Sequence, residues 1–124
     1  MERIVLVEHN LLFRESLALL LQWRTGLSSV HAGSLTEARG ILDDTSQKLA
    51  CVVVDLDLPE GEVIEVLEQL SGLPVVALSS SLNPERQAEA IGLGRDQVLG
   101  TTGSVEKIVA VVERLIGQRS ITVF

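Results

Sequence analysis

Short apolar runs alternate along the chain with longer stretches in which apolar residues recur every three or four positions. The runs lie at residues 4–7, 51–54, 74–78 and 97–99, and a shorter, more polar run at 28–32 predicts a strand at the edge of the sheet. Valine-rich runs of this length are typical of strands buried on both faces of a sheet, and the spacing of three or four indicates amphipathic helices. The pattern therefore predicts five strands, each followed by a helix.

Capping residues and glycines mark the ends of the predicted helices. Asn10 is a suitable N-cap for a first helix through about Gln22, before Gly26. Residues 34–37 read Ser-Leu-Thr-Glu, the form of a capping box, and open a second helix. The remaining helices are predicted over 63–70, after Asn83-Pro84, and from Ser104 to Gly117.

Strict alternation of strands and helices predicts a parallel sheet with helices on both faces. For five strands, the common doubly wound order is 2-1-3-4-5, the flavodoxin-like α/β arrangement, whose switch point lies between strands one and three. We expect residues 1–117 to form this domain. Residues 118–124 are expected to be a tail or the start of a linker to an output domain.

Asp55 directly follows the most apolar run and so is predicted at the carboxyl end of a central strand. Ligands collect at this end of open α/β sheets. The strand order sets Glu8 and His9 beside Asp55, with Ser79 one strand further along. Alternative roles stay open: Asp55 as a solvated strand-end carboxylate, Asp57 as a turn residue before Pro59 or a metal ligand.

Composition limits the classes of function. The chain has 124 residues and a net charge of −7, which argues against DNA binding by this domain because phosphate contacts need clustered Lys and Arg. The single cysteine, Cys51, lies in an apolar run and is expected in the core. There is no basic-then-apolar leader and no apolar run near the ~20 residues of a membrane span, so we expect a cytoplasmic protein.

These landmarks resemble the receiver domain of two-component response regulators over essentially the whole chain. They are Val7-Glu8-His9, Asp55-Leu56-Asp57-Leu58-Pro59, Leu78-Ser79-Ser80 and Thr101. The stretch 12–17 also looks like the first helix of regulators with a C-terminal helix-turn-helix domain. The resemblance implies that Asp55 accepts a phosphoryl group from a sensor kinase and that DNA is bound only through a separate C-terminal domain.

The chain departs from the receiver pattern at several positions that the resemblance makes important. His9 replaces the second residue of an acidic pair that helps to hold Mg²⁺, and imidazole is a poor ligand for that ion. Thr101 occupies the position of a lysine that pairs with the phosphate, and Val98 that of an aromatic residue. Ser79 keeps the hydroxyl position. We expect no required cofactor, with Mg²⁺ binding possible but weakened.

The departures predict an atypical receiver with impaired or no phosphorylation of Asp55, which works by dimerisation or by binding a partner. One hypothesis is that His9 becomes a fixed cation beside Glu8 and Asp55, in place of Mg²⁺. His31 is expected to be an ordinary edge-strand residue. The last helix, together with the first, is the predicted homodimer face, because its apolar residues cover more than one stripe. These residues are Ile108, Val111, Val112 and Leu115.

Two alternatives remain open at the level of sequence. A receiver could use the same strand-end crevice to sense a small molecule. Asp55-Leu56-Asp57 also resembles the Asp-x-Asp motif of haloacid-dehalogenase-type phosphatases, but there the motif normally follows the first strand. Such an enzyme also needs a catalytic lysine, and Lys48 and Lys107 are badly placed for it. We therefore predict that the chain is not an enzyme.

Overall fold

A computed structural model describes residues 2–56, 58, 73–79, 97–100 and 105–120 of the chain. The helices predicted over 63–70 and after Asn83, together with Asp57 and Thr101, lie outside the described residues. The strands are β1 (Arg3–Val7), β2 (Ser29–Ala32), β3 (Leu49–Asp55), β4 (Val75–Ser79) and β5 (Gln97–Gly100). The described helices are α1 (Leu11–Thr25), α2 (Leu35–Asp43) and α3 (Val105–Ser120).

The five strands form one parallel sheet in the order β2-β1-β3-β4-β5, so the predicted doubly wound topology is confirmed. In this register Val7 pairs with Val54, and Asp55 pairs with Leu78. The strand ends of β1, β3 and β4 therefore meet at one edge of the sheet. The shorter and more polar β2 lies at the side of the sheet, as its sequence predicted.

The hydrophobic core has two layers because alternate strand residues point to opposite faces of the sheet. On one face, Val52 and Val54 of β3 pack in a cluster that includes residues of α2. On the other face, Cys51 and Val53 pack in a cluster that includes residues of α1 and α3. All four residues are buried. This double burial explains why β3 is a continuous apolar run and places the Cys51 thiol in the core, as predicted.

Helix α1 is longer than its apolar stripe suggested. The Asn10 side chain accepts a hydrogen bond from the backbone N–H of Phe13 at 3.0 Å, which confirms the predicted N-cap. The helix continues past Gln22 to Thr25 and ends at Gly26, whose φ of 76° is the left-handed conformation of a C-terminal cap. The last turn of α1 adds no buried residue to the core, so the apolar pattern of the sequence predicted a helix end that is a few residues too early.

Helix α3 corrects the predicted dimer face. Ile108, Val112 and Leu115 are buried inside the chain in the same core cluster as α1, and Val111 is half-buried against it. Their apolar surface is wide because α3 packs against both the sheet and α1. The prediction that this set forms a partner surface is therefore wrong for the three buried residues. The helix also runs through Gly117, its predicted end, to Ser120.

The described helices are short or charged. None of them combines the length and the hydropathy that crossing a membrane would require.

Candidate functional site

Two carboxyl groups meet where the central strands end. Asp55 is the last residue of β3, and Glu8 directly follows β1, the neighbouring strand. Glu8 is only 8% exposed and Asp55 only 9% exposed. The predicted proximity of these residues is confirmed, because their carboxyl groups share a hydrogen bond.

The pKa of Glu8 is raised above its ordinary value. Burial raises the pKa of Glu8, and the charge of Asp55 and the hydrogen bond to it raise this pKa further. The backbone N–H of Asn10 and the charge of His9 oppose the shift without reversing it. Two carboxyl groups this close favour a proton on one of them, and the raised pKa of Glu8 favours its neutral form.

The turn between β1 and α1 holds Glu8 in place. Its carboxyl Oε1 accepts from the Asn10 backbone N–H at 3.0 Å, and its own N–H donates to the Ala32 carbonyl at 3.0 Å. Asn10 thus caps α1 and orients the acidic residue at once. His9, which the sequence placed in the same pocket, has an exposed side chain. Its role as a cation in place of Mg²⁺ stays a prediction.

Arg14 joins this turn to the edge strand, a role that the sequence did not reveal. Its Nη1 donates to the Glu8 carbonyl oxygen at 2.7 Å, and its Nε donates to His31 Nδ1 at 3.2 Å. A Cβ on Gly33 would lie 2.9 Å from Nη1, so the absence of a side chain there makes room for the guanidinium. No local sequence signal predicts these contacts, because 17 positions separate Arg14 and His31.

His31 is neutral in this arrangement because its Nδ1 accepts a hydrogen bond. Partial burial lowers the pKa of His31, and the positive charge of Arg14 lowers it further, although Glu15 has an opposing effect. The residue lies on an edge strand, as predicted, but it also connects that strand to α1.

The other predicted site residues are described less fully. Ser79 ends β4, next to β3 in the sheet, which places its backbone one strand along from Asp55 as expected.

Among the residues described, no group of three or more His, Cys, Asp or Glu side chains could hold a metal ion. Glu8 and Asp55 do offer the oxygen ligands that Mg²⁺ prefers, and this ion commonly uses only one or two carboxylates. The donor types fit Mg²⁺, but the raised pKa of Glu8 opposes its binding, because only the ionised carboxylate is a good ligand.

A shallow cavity of about 290 Å³ lies away from the carboxyl pair, between α1 and β2. It is lined by Glu15, Ala18, Leu19 and His31. It is therefore separate from the strand-end crevice that the sequence proposed for a small-molecule ligand.

Comparison with known sequences supports one class of protein. No family model matches the chain. The chain is 30% identical over 102 residues to the KDP operon transcriptional regulatory protein KdpE of Escherichia coli (strain K12). The match covers 80% of this chain and 44% of that protein, so the chain spans less than half the length of this relative.

Comparison with solved structures shows the same fold. A CheY-like response regulator receiver domain protein from Methanospirillum hungatei JF-1 superposes with a TM-score of 0.85 at 15% identity, with 97% of each chain covered. A response regulator from Burkholderia pseudomallei, solved with a phosphorylated aspartic acid, calcium ion and citrate, gives a TM-score of 0.75 at 20% identity. That match covers 97% of this chain and 71% of the other. Together, the curated relative and the shared fold support a receiver domain of the two-component response-regulator type.

Proposed function

We propose that this receiver domain has an impaired phosphoacceptor site and transmits its signal mainly by associating with a protein. The observation that carries the proposal is the hydrogen-bonded pair of Glu8 and Asp55. Asp55 has the position of a receiver nucleophile, and its carboxylate is engaged by a neighbouring carboxyl group. Any phosphoryl donor must displace or accommodate that contact.

The charge of the pocket supports the proposal. A phosphoryl group brings negative oxygens into the site, and its transfer is promoted by cations that neutralise them. Among the residues that the structure describes, the buried charged groups Glu8 and Asp55 are both acidic and His9 is exposed, and Thr101 is by its residue type uncharged at the lysine position. Losing a charge-assisted hydrogen bond to the phosphate alone costs roughly 1.5–3 kcal/mol.

Mg²⁺ would be held by Glu8 and Asp55, and when bound it supplies charge neutralisation for phosphoryl transfer. Glu8 would have to be ionised for both residues to act as oxygen ligands. His9 brings a nitrogen where the family pattern has an oxygen ligand, so affinity for this ion is reduced.

The whole protein is proposed to act in the cytoplasm, with a sensor kinase or another regulatory protein as partner. DNA would be bound only through a separate C-terminal domain, in line with the transcriptional role that the name of KdpE states for that protein. We propose no enzymatic turnover. Asp55 ends the third strand, whereas the Asp-x-Asp phosphatase motif normally follows the first. Hydrolysis of p-nitrophenyl phosphate would contradict this assignment.

Intact mass measurement after incubation with acetyl phosphate and Mg²⁺ tests the state of the site. We expect little or no gain of a phosphoryl group by the natural chain, with Asp55→Asn as the control for specificity. A stoichiometric gain that the Asp55→Asn variant lacks would show a competent phosphoacceptor and contradict the proposed impairment.

A restored variant makes the test informative in both directions. His9→Asp with Thr101→Lys returns the two family residues, and we expect it to gain a phosphoryl group at Asp55. The same variant carrying Asp55→Asn should gain none. If the restored variant is folded and still unreactive, the departures at residues 9 and 101 do not explain the impairment.

A further inference from the structure

Helix α1 carries an uncovered apolar stripe on the side that faces away from the sheet. Leu12 is 75% exposed, Leu19 is 72% exposed and Trp23 is 79% exposed. With the exposed Ser16, they follow the spacing of four, three and four residues that keeps side chains on one helix face. We call residues 12, 16, 19 and 23 the α1 stripe. Large exposed apolar side chains clustered in this way typically mark an interaction surface.

The spacing of the α1 stripe is complementary to itself. When two copies of the helix lie antiparallel across a two-fold axis, Leu12 of one copy falls opposite Trp23 of the other. Ser16 then falls opposite Leu19, because both pairs of residue numbers have the same midpoint. Large side chains therefore meet at the two ends of the contact. Beside the two-fold axis, the small Ser16 meets the larger Leu19. An isologous dimer requires this kind of self-complementary surface.

The polar groups on and beside the α1 stripe do not oppose a second copy. The chain carries a net charge of −7, so two copies repel each other over most of their surfaces, but the stripe contains no charged residue. Along its flank, Glu15 would lie near Gln22 of the other copy, a carboxylate near an amide donor. The Ser16 hydroxyl already donates to the Leu12 carbonyl at 2.9 Å, so it brings no unpaired donor to the interface. The antiparallel pairing therefore places no like charges opposite each other.

We infer that two copies of this chain associate through the α1 stripe in an antiparallel, two-fold arrangement. The inference rests on the proposed function in taking association as the means of signalling. In this dimer the contact is made by exposed residues of α1, in place of the α3 residues that are buried in the core. The stripe is narrow beside the ~800 Å² per partner of a standard interface, so the dimer is reversible and depends on concentration.

Light scattering of the unphosphorylated protein across a range of concentrations tests the inference. We expect the mass to double on concentration to about 1 mM. Trp23, the only tryptophan, should show a parallel shift of its fluorescence to shorter wavelength as it leaves water. Leu19→Glu should keep the chain monomeric, while Ala110→Glu, a matched change at an exposed position of α3, should leave the dimer intact.

A charge pair tests the direction of pairing. Ser16→Lys combined with Leu19→Glu would put lysine opposite glutamate twice in the antiparallel arrangement, so we expect dimerisation to return. In a parallel arrangement like charges would face each other. A monomeric natural chain at 1 mM, a dimer insensitive to Leu19→Glu, or no recovery in the folded double variant would each overturn the inference. Because no phosphoryl donor is present, these outcomes are independent of the reactivity of Asp55.

Discussion

Glu8 is the residue at which the chemistry of the site and the stability of the fold oppose each other. It is almost fully buried, and the charge of a second buried carboxyl group, Asp55, raises its pKa further. A buried acid beside an acid favours its neutral form, because desolvation and repulsion both penalise the second negative charge. Glu8 therefore suits cation binding at this edge of the sheet, but its ionised form destabilises the fold when no cation is bound.

Replacing Glu8 by glutamine should stabilise the domain at neutral pH. In Glu8→Gln the amide oxygen can still accept from Asn10, and the amide N–H can donate to Asp55 without any proton uptake. We expect a gain on the order of 0.5–2 kcal/mol in the free energy of unfolding, measured by urea denaturation. Glu15→Gln, a change at an exposed glutamate of α1, is the control and should have little effect.

The pH dependence of that gain follows from the raised pKa of Glu8. The folded state binds the proton more tightly than the unfolded chain, so the natural protein loses stability as the pH rises through the folded-state pKa. The difference between Glu8→Gln and the natural chain should thus be small below pH ~4.5, where an ordinary glutamate is protonated, and should grow above it. A variant that is less stable than the natural chain at neutral pH would contradict the assignment of the proton to Glu8.

At the scale of elements, α1 connects the site to the edge of the sheet. Its N-cap residue orients Glu8, and Arg14 in its first turns binds both the Glu8 carbonyl and His31 of β2. At its other end, Arg24 forms an ion pair with Glu113 of α3. Movements of α1 would consequently reach the carboxyl pair through the β1–α1 turn.

Acidification should weaken the link between α1 and β2. Arg14 donates to His31 only while Nδ1 is unprotonated, and the lowered pKa of His31 means that this contact survives slightly below the usual titration range. Its contribution to stability is present above pH ~6.5 and is lost as the pH falls through the folded-state pKa. By NMR, we expect the Arg14 Nε–H resonance to change with the same midpoint as the His31 ring.

His31→Gln provides the control for this titration. A glutamine oxygen can accept from Arg14 at any pH in the range, so the transition in the Arg14 resonance should disappear. If the Arg14 resonance of the natural chain is unchanged while His31 titrates, the hydrogen bond does not link the two elements in solution.

The elements were more predictable than the contacts between their side chains. Buried strands appear in the sequence as apolar runs, so the strands and their alternation with helices could be predicted. The strand order, and with it the proximity of Glu8 to Asp55, followed from the common doubly wound topology. The role of Arg14 did not follow, because its partners come from a distant strand and a backbone carbonyl. The dimer face on α3 was misplaced because periodicity shows that a residue is apolar, without showing whether the sheet, a neighbouring helix or a partner covers it.

At the scale of the whole molecule, net charge should govern how readily two copies meet. Each chain carries a charge of −7, while the α1 stripe is uncharged. Salt screens the long-range repulsion without weakening apolar contacts. We therefore expect dimerisation of the natural chain to strengthen when NaCl is raised from about 20 mM to about 500 mM, as measured by sedimentation equilibrium.

The variant with Ser16→Lys and Leu19→Glu should respond to salt in the opposite sense. Its dimer would be held partly by ion pairs across the two-fold axis, which salt screens. A natural dimer that weakens with salt would show that charged groups, rather than the apolar stripe, hold the two copies together.

The single thiol at the centre of the sheet has a practical consequence. Cys51 is fully buried in β3, between β1 and β4 and beneath α1 and α3. A thiol reagent can reach this sulfur only when the layers around it separate. The rate of alkylation of Cys51 under native conditions therefore reports how often the core opens, without any denaturant. Cys51 is thus a built-in probe of how often the centre of the domain becomes accessible to solvent.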